Sequence, residues 1–139
     1  MTKPKVDLLD LADLDPAVAC AKGFELELVH PVSERGLGVF IIVQGSESQA
    51  YQRIYRERVD EMLNRSAGKG KPKTDTPEQI EKKGAALLAE VTTGWRGVML
   101  NGEELPFTPA NACKLYESQR WVRQQVDRAV HDLGNFMKD

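Results

Sequence analysis

The chain has 139 residues, of which 41% are hydrophobic and 29% charged, a balance that supports one hydrophobic core and excludes a disordered or fibrous protein. Nineteen basic against 21 acidic side chains leave a net charge of −2, without the basic excess of a general nucleic-acid binder. The longest apolar run, Val39-Phe40-Ile41-Ile42-Val43, is far shorter than the roughly 18 residues of a membrane-spanning helix.

Residues 1–6 are expected to be a flexible end, and their polar character shows no signal peptide. Leu8, Leu9, Leu11 and Leu14 follow among acidic and small residues. Asp15-Pro16 then reads as a helix start and Gly23 as its end. Phe24-Glu25-Leu26-Glu27-Leu28 alternates apolar and acidic, the period of a half-buried strand. Val39 to Gln44 predicts a second strand buried on both faces, paired with the first through a loop around Val32 to Gly36.

Ser46 to Arg65 changes to a helical period, with Tyr51, Ile54, Tyr55, Val59, Met62 and Leu63 on one face expected to point inward. Residues 67–75, with Lys69, Lys71 and Lys73 among Gly and Pro, form the expected flexible basic loop. Thr76-Pro77 starts a helix with Ile80, Leu87, Leu88 and Val91 inward, and Thr92-Thr93-Gly94 breaks it. Trp95 to Leu100 and Glu103 to Phe107 allow a second short hairpin around Asn101-Gly102, a pair suited to the positive φ values of a tight turn. Thr108-Pro109 caps a helix with Ala112, Leu115 and Tyr116 inward. A last helix, with a break near Glu117 or Ser118, carries Trp121, Val122, Val126, Ala129, Val130, Leu133 and Phe136 or Met137. The expected fold is α+β: a helix-dominated single domain over residues 1–139, with an N-terminal β-hairpin and about four helices.

Reactive chemistry is not legible. Gly36-Leu37-Gly38 lacks the third glycine of a dinucleotide fingerprint. Cys20, His30, Cys113 and His131 lack the short spacing of local metal ligands. The two cysteines, 93 positions apart, read as reduced thiols of a cytoplasmic protein. Asp127 and His131 form a helical i,i+4 pair. Glu103-Glu104 would point to opposite faces of a strand, which suits solvated turn charge better than acid–base work. No catalytic, cofactor-binding or metal-ligating residue is assigned. Trp95, Phe107, Tyr116 and Trp121 lie in the last third of the chain, where they serve equally as core residues or interface anchors. The stripe of the last helix is open to the same two readings.

Gly94-Trp95-Arg96-Gly97-Val98, then Asn101-Gly102-Glu103-Glu104-Leu105-Pro106-Phe107-Thr108-Pro109-Ala110-Asn111-Ala112 and an aromatic-bearing helix, resembles the tail assembly chaperones of long-tailed bacteriophages. The resemblance spans residues 94–137. It implies a non-enzymatic protein of the bacterial host cytoplasm that binds the tape measure protein, keeps it soluble and promotes tail tube assembly around it. Tail tube protein would be recruited, in many phages through a frameshifted longer product, and the chaperone would be absent from the mature virion. Another phage morphogenesis protein, such as a head–tail connector or tail terminator, is the alternative; a small regulatory nucleic-acid-binding module, resting on the basic loop, is a third reading. The partner-binding candidates are Trp95, Phe107, Tyr116, Trp121, Val122, Val126, Val130, Leu133 and Phe136, and self-association is expected from the same apolar residues.

Overall fold

Proline and a side-chain cap start most of the helices. In the computed structural model, which describes residues 8–68 and 74–137, α1 (Pro16–Lys22) opens on Asp15, whose carboxylate accepts the Ala17 amide at 2.9 Å. A 3₁₀ turn, Leu11–Leu14, precedes it. Gly23, at φ 87°, turns the chain into β1 (Phe24–Val29), which pairs antiparallel with β2 (Gly36–Val43). Helix α2 (Gln49–Ala67) is capped by the Ser48 hydroxyl. Helix α3 (Pro77–Glu90) starts on a complete capping box, Thr76 with Gln79. The expected flexible end over residues 1–6, and Lys69, Lys71 and Lys73 of the expected basic loop, lie outside the described residues.

Thr92-Thr93-Gly94 does not break the chain into a loop. It opens β3 (Thr92–Arg96), which pairs antiparallel with β2 and makes a sheet of order β1-β2-β3. The expected strand from Trp95 to Leu100 is therefore split. Gly97 sits at φ 78°, and a Cβ there would come 2.7 Å from the Gly38 carbonyl oxygen, so the chain turns where only glycine fits. Only β4 (Met99–Leu100) and β5 (Glu103–Glu104) form the second hairpin, around Asn101 and Gly102 at φ 54° and 83°. Thr108 caps α4 (Pro109–Ser118), and α5 (Arg120–His131) follows after a break at Gln119. The Asn111 backbone amide donates to the Thr108 hydroxyl at 3.0 Å, and its side-chain Nδ2 donates to the Pro106 carbonyl at 2.9 Å.

One face of the sheet is covered. Leu28, Ile41 and Val43 pack with Leu88 of α3, its C-cap Val91, and Leu115, Tyr116, Val122, Val126 and Val130 of α4 and α5. The other face is not, so the unbroken apolar run of β2 is not buried on both sides. Ile42 is exposed there, and Phe40 is covered by the Arg96 guanidinium, 3.9 Å from its ring centre and bonded to Glu25 at 3.0 Å. The α2 stripe also departs from expectation. Tyr51 alone is buried, and Tyr55, Met62 and Leu63 face outward, as does Ile80 of α3. Charged residues surround α2 on nearly every side, so its segregation into an apolar and a polar face is weak.

Two polar features pin the core. Consecutive amides of Gln44, Gly45 and Ser46 donate to the carbonyls of Val91, Cys20 and Val130 at 2.8, 3.0 and 2.9 Å. Inside, the Thr92 hydroxyl donates to the Leu88 carbonyl at 2.7 Å. With that proton committed, the Tyr116 hydroxyl donates to Thr92 Oγ1, also at 2.7 Å. Burial pushes the Tyr116 phenol well above its ordinary pKa. Thr92→Val should cost about 1–3 kcal/mol, because it strands a buried phenol, whereas Tyr116→Phe leaves Thr92 bonded to Leu88 and should cost about 1 kcal/mol; urea denaturation of both variants ranks them. At Gly45 a Cβ would collide with the Cys20 side chain and stand 2.9 Å from the Phe136 ring. Gly45→Ala should therefore destabilise the fold by about 1–3 kcal/mol, read in the same titration.

Candidate interaction surface

Among the described residues the titratable side chains do not converge on a reactive centre. Among the described residues no group of three or more His, Cys, Asp or Glu is placed to hold a metal ion, and no helix is long and apolar enough to cross a membrane. Cys20 and Cys113 are both free thiols, and burial pushes each above its ordinary pKa, which disfavours the reactive thiolate. His30 Nδ1 accepts the amides of Val32 and Ser33 at 3.2 and 3.1 Å, a structural role in the β1–β2 turn. His131 does more than pair with Asp127. Its Nδ1 lies 2.9 Å from the Asp127 carbonyl oxygen, and its Nε2 lies 2.9 Å from the Tyr51 hydroxyl, tying α5 to the start of α2. Glu103 and Glu104 are both exposed on the short β5.

The partner-binding candidates separate into interior and surface. Tyr116, Val122, Val126 and Val130 are buried in the core and spend their surface on the chain's own sheet. Trp95 and Phe107 stack edge to face at 5.1 Å between ring centres, and the Trp95 indole donates to the Leu105 carbonyl at 2.8 Å. Trp95 stands on β3 and clasps the chain entering α4. Trp121 is half-buried and donates to Gln119 Oε1 at 3.2 Å. Phe136 is half-buried against Phe24, with ring centres 6.0 Å apart, and Leu133 is partly exposed beside it.

The uncovered apolar surface lies elsewhere. Leu8, Leu9, Leu11 and Leu14 stand out from the segment before α1, with Leu8 89% and Leu11 78% exposed. A groove between the C-terminal half of α2 and the start of α3 is lined by Met62, Ile80 and Gly84 with Arg58, Arg65 and Lys83 at its sides; Met62 is 61% and Ile80 59% exposed. Both sets were visible as apolar spacings in the sequence. Which of them would be left without a covering element was not, because that depends on how far the sheet and α4 extend.

Ion pairs tie α2 to the start of α3 along the groove. Asp75 accepts from Arg65 at 2.8 Å and from Lys83 at 2.7 Å, and Glu61 pairs with the same two bases. Hydrogen bonds from Lys83 and Arg65 hold the Asp75 carboxyl below its ordinary range. Comparison of the chain with protein-family models, with curated proteins and with solved structures returned no match.

A carboxylate whose pKa is lowered by folding contributes stability above its unfolded value, about 3.9, and loses it as pH falls through the lower folded value. Asp75→Asn should lower the midpoint of thermal unfolding at pH 7 and reduce the loss on acidification below about pH 4, measured by circular dichroism across a pH series.

Proposed function

We propose that this protein is a non-enzymatic tail assembly chaperone of a long-tailed bacteriophage, which binds the tape measure protein, keeps it soluble and promotes assembly of the tail tube around it. The observation that carries this reading is the residue pattern from Gly94 to Ala112. That pattern forms a scaffold here: Trp95, the Asn101-Gly102 turn and the Thr108 cap hold β3, the small hairpin and α4 together, and none of these groups is set up for chemistry.

The surface agrees in kind with such a role. A long helical ruler exposes apolar stripes until the tube surrounds it, and a chaperone needs uncovered apolar residues to mask them. Met62, Leu63 and Ile80, together with the leucines before α1, supply apolar surface at helical spacings. Many copies along one ruler act multivalently, so each contact needs little affinity. The work would be done in the bacterial host cytoplasm, with tail tube protein recruited through a frameshifted longer product.

Co-expression with the tape measure protein encoded beside it should move that protein from the insoluble to the soluble fraction and let the two co-purify. Mass spectrometry of purified virions should find this chain absent. Failure both to co-purify and to change solubility would overturn the proposal, and stoichiometric incorporation into virions would favour a connector or terminator instead.

A further inference from the structure

Gly84 is not required by the fold of the chain itself. It sits in the interior of α3, where glycine is less favourable than any residue but proline. Two needs can justify a glycine: a left-handed backbone, or a neighbour that leaves no room for a side chain. Gly97 meets both and Gly45 the second. Gly84 meets neither. Its φ is not positive, and a Cβ there would find nothing within 4 Å among the described residues. Alanine or leucine would be the better helix former at this position.

The open space beside Gly84 is the α2–α3 groove. Arg65 bonds Asp75 just before α3, and Arg58, about two turns earlier on α2, donates to the Lys83 carbonyl. The two helices therefore run antiparallel along the groove. Arg58 and Met62 stand four residues apart on one wall, and Ile80 and Gly84 four apart on the other, each pair on one face of its helix. Met62 and Ile80 are exposed. Three bases, Arg58, Arg65 and Lys83, share two carboxylates, Glu61 and Asp75. The charged lining thus carries one positive charge in excess.

We propose that this groove seats an amphipathic helix of the tape measure protein, which crosses α3 at Gly84. This rests on the proposed function and adds the place of contact. A helix lying in a trough between two others presents anchors at i, i+3 and i+4 spacing, and here they cover Met62 and Ile80. Glycine at the crossing removes the side chain that would hold the two helix backbones apart. The chain gives up helix stability at Gly84 and keeps that space free for its client. A small client residue, Ala, Gly or Ser, sits over Gly84. A client carboxylate meets the excess positive charge beside it, where Arg58 reaches Lys83.

Variants of the full chain separate the fold from the contact. Gly84→Ala and Gly84→Leu should each raise the midpoint of thermal unfolding of the chain alone, by about 2–6 °C. Co-expressed with the tape measure protein, both should nevertheless retain less of it in the soluble fraction and on co-purification. The loss should be at least about ten-fold for Gly84→Leu, whose side chain fills the crossing. Met62→Asp should lower retention to the same degree. Leu11→Asp, at an exposed leucine outside the groove, should lower it by no more than about two-fold.

No retention of the tape measure protein by the wild-type chain would overturn this inference together with the proposed function. Retention that Gly84→Leu leaves unchanged would overturn this inference alone. So would a lower unfolding midpoint in both glycine variants, which would show that the fold itself requires Gly84. Self-association of the wild-type chain that Gly84→Leu abolishes, with retention unchanged, would place a second copy in the groove and overturn it equally.

Discussion

Three consecutive amides at the end of β2 hold the molecule together. Gln44, Gly45 and Ser46 leave the central strand and donate in turn to Val91, Cys20 and Val130, the ends of α3, α1 and α5. Such a junction demands that three distant segments arrive at one place with their carbonyls aimed inward. It also demands a residue without a side chain at Gly45, where Cys20 and Phe136 close in. Buried amides left without acceptors would each cost about 1–3 kcal/mol, so the three helices are positioned together or not at all.

From that junction the layering follows. Of the helices that reach it, α3 and α5 lie with α4 against one face of the sheet. The opposite face is left to the Arg96–Phe40 contact and the glutamates of β1. Edge positions are tied off by side chains: Gln125 of α5 accepts from the Val29 amide at 2.9 Å and donates to its carbonyl at 2.8 Å, occupying the groups another strand would use. Helix α2 buries only Tyr51 and is otherwise tied to α1 and, through ion pairs, to the start of α3, which leaves its distal apolar residues and Ile80 uncovered. A protein built this way spends the aromatic and valine residues of α4 and α5 on its own stability and presents apolar groups before α1 and along α2 and the start of α3.

Much of the architecture was legible in local chemistry. Asp15, Thr76 and Thr108, each followed by proline, mark helix starts that need only the neighbouring amides to be satisfied. Asn101-Gly102 marks a turn because few other pairs accept two positive φ values. The α5 stripe of Val122, Val126, Ala129 and Val130 is buried as its spacing requires. The errors share one cause. Thr92-Thr93-Gly94 looked like a breaker because nothing nearby reveals that β2, fifty residues earlier, offers it a free edge. The α2 stripe looked inward because periodicity tells which residues share a face and nothing about whether anything is packed against it.

The sequence by itself determined the α+β character, the helix caps, the turns and the lack of any local reactive motif. These are set by interactions within a few residues, where backbone geometry and hydrogen-bond need decide the outcome. Only the tertiary structure decided that β3 joins the N-terminal hairpin, that Tyr116 and the α5 valines are interior, and that apolar residues before α1 and between α2 and α3 stay uncovered. Burial is a property of the whole packing: one face of a three-stranded sheet can cover only so many helices, and the stripe that falls beyond its edge becomes surface.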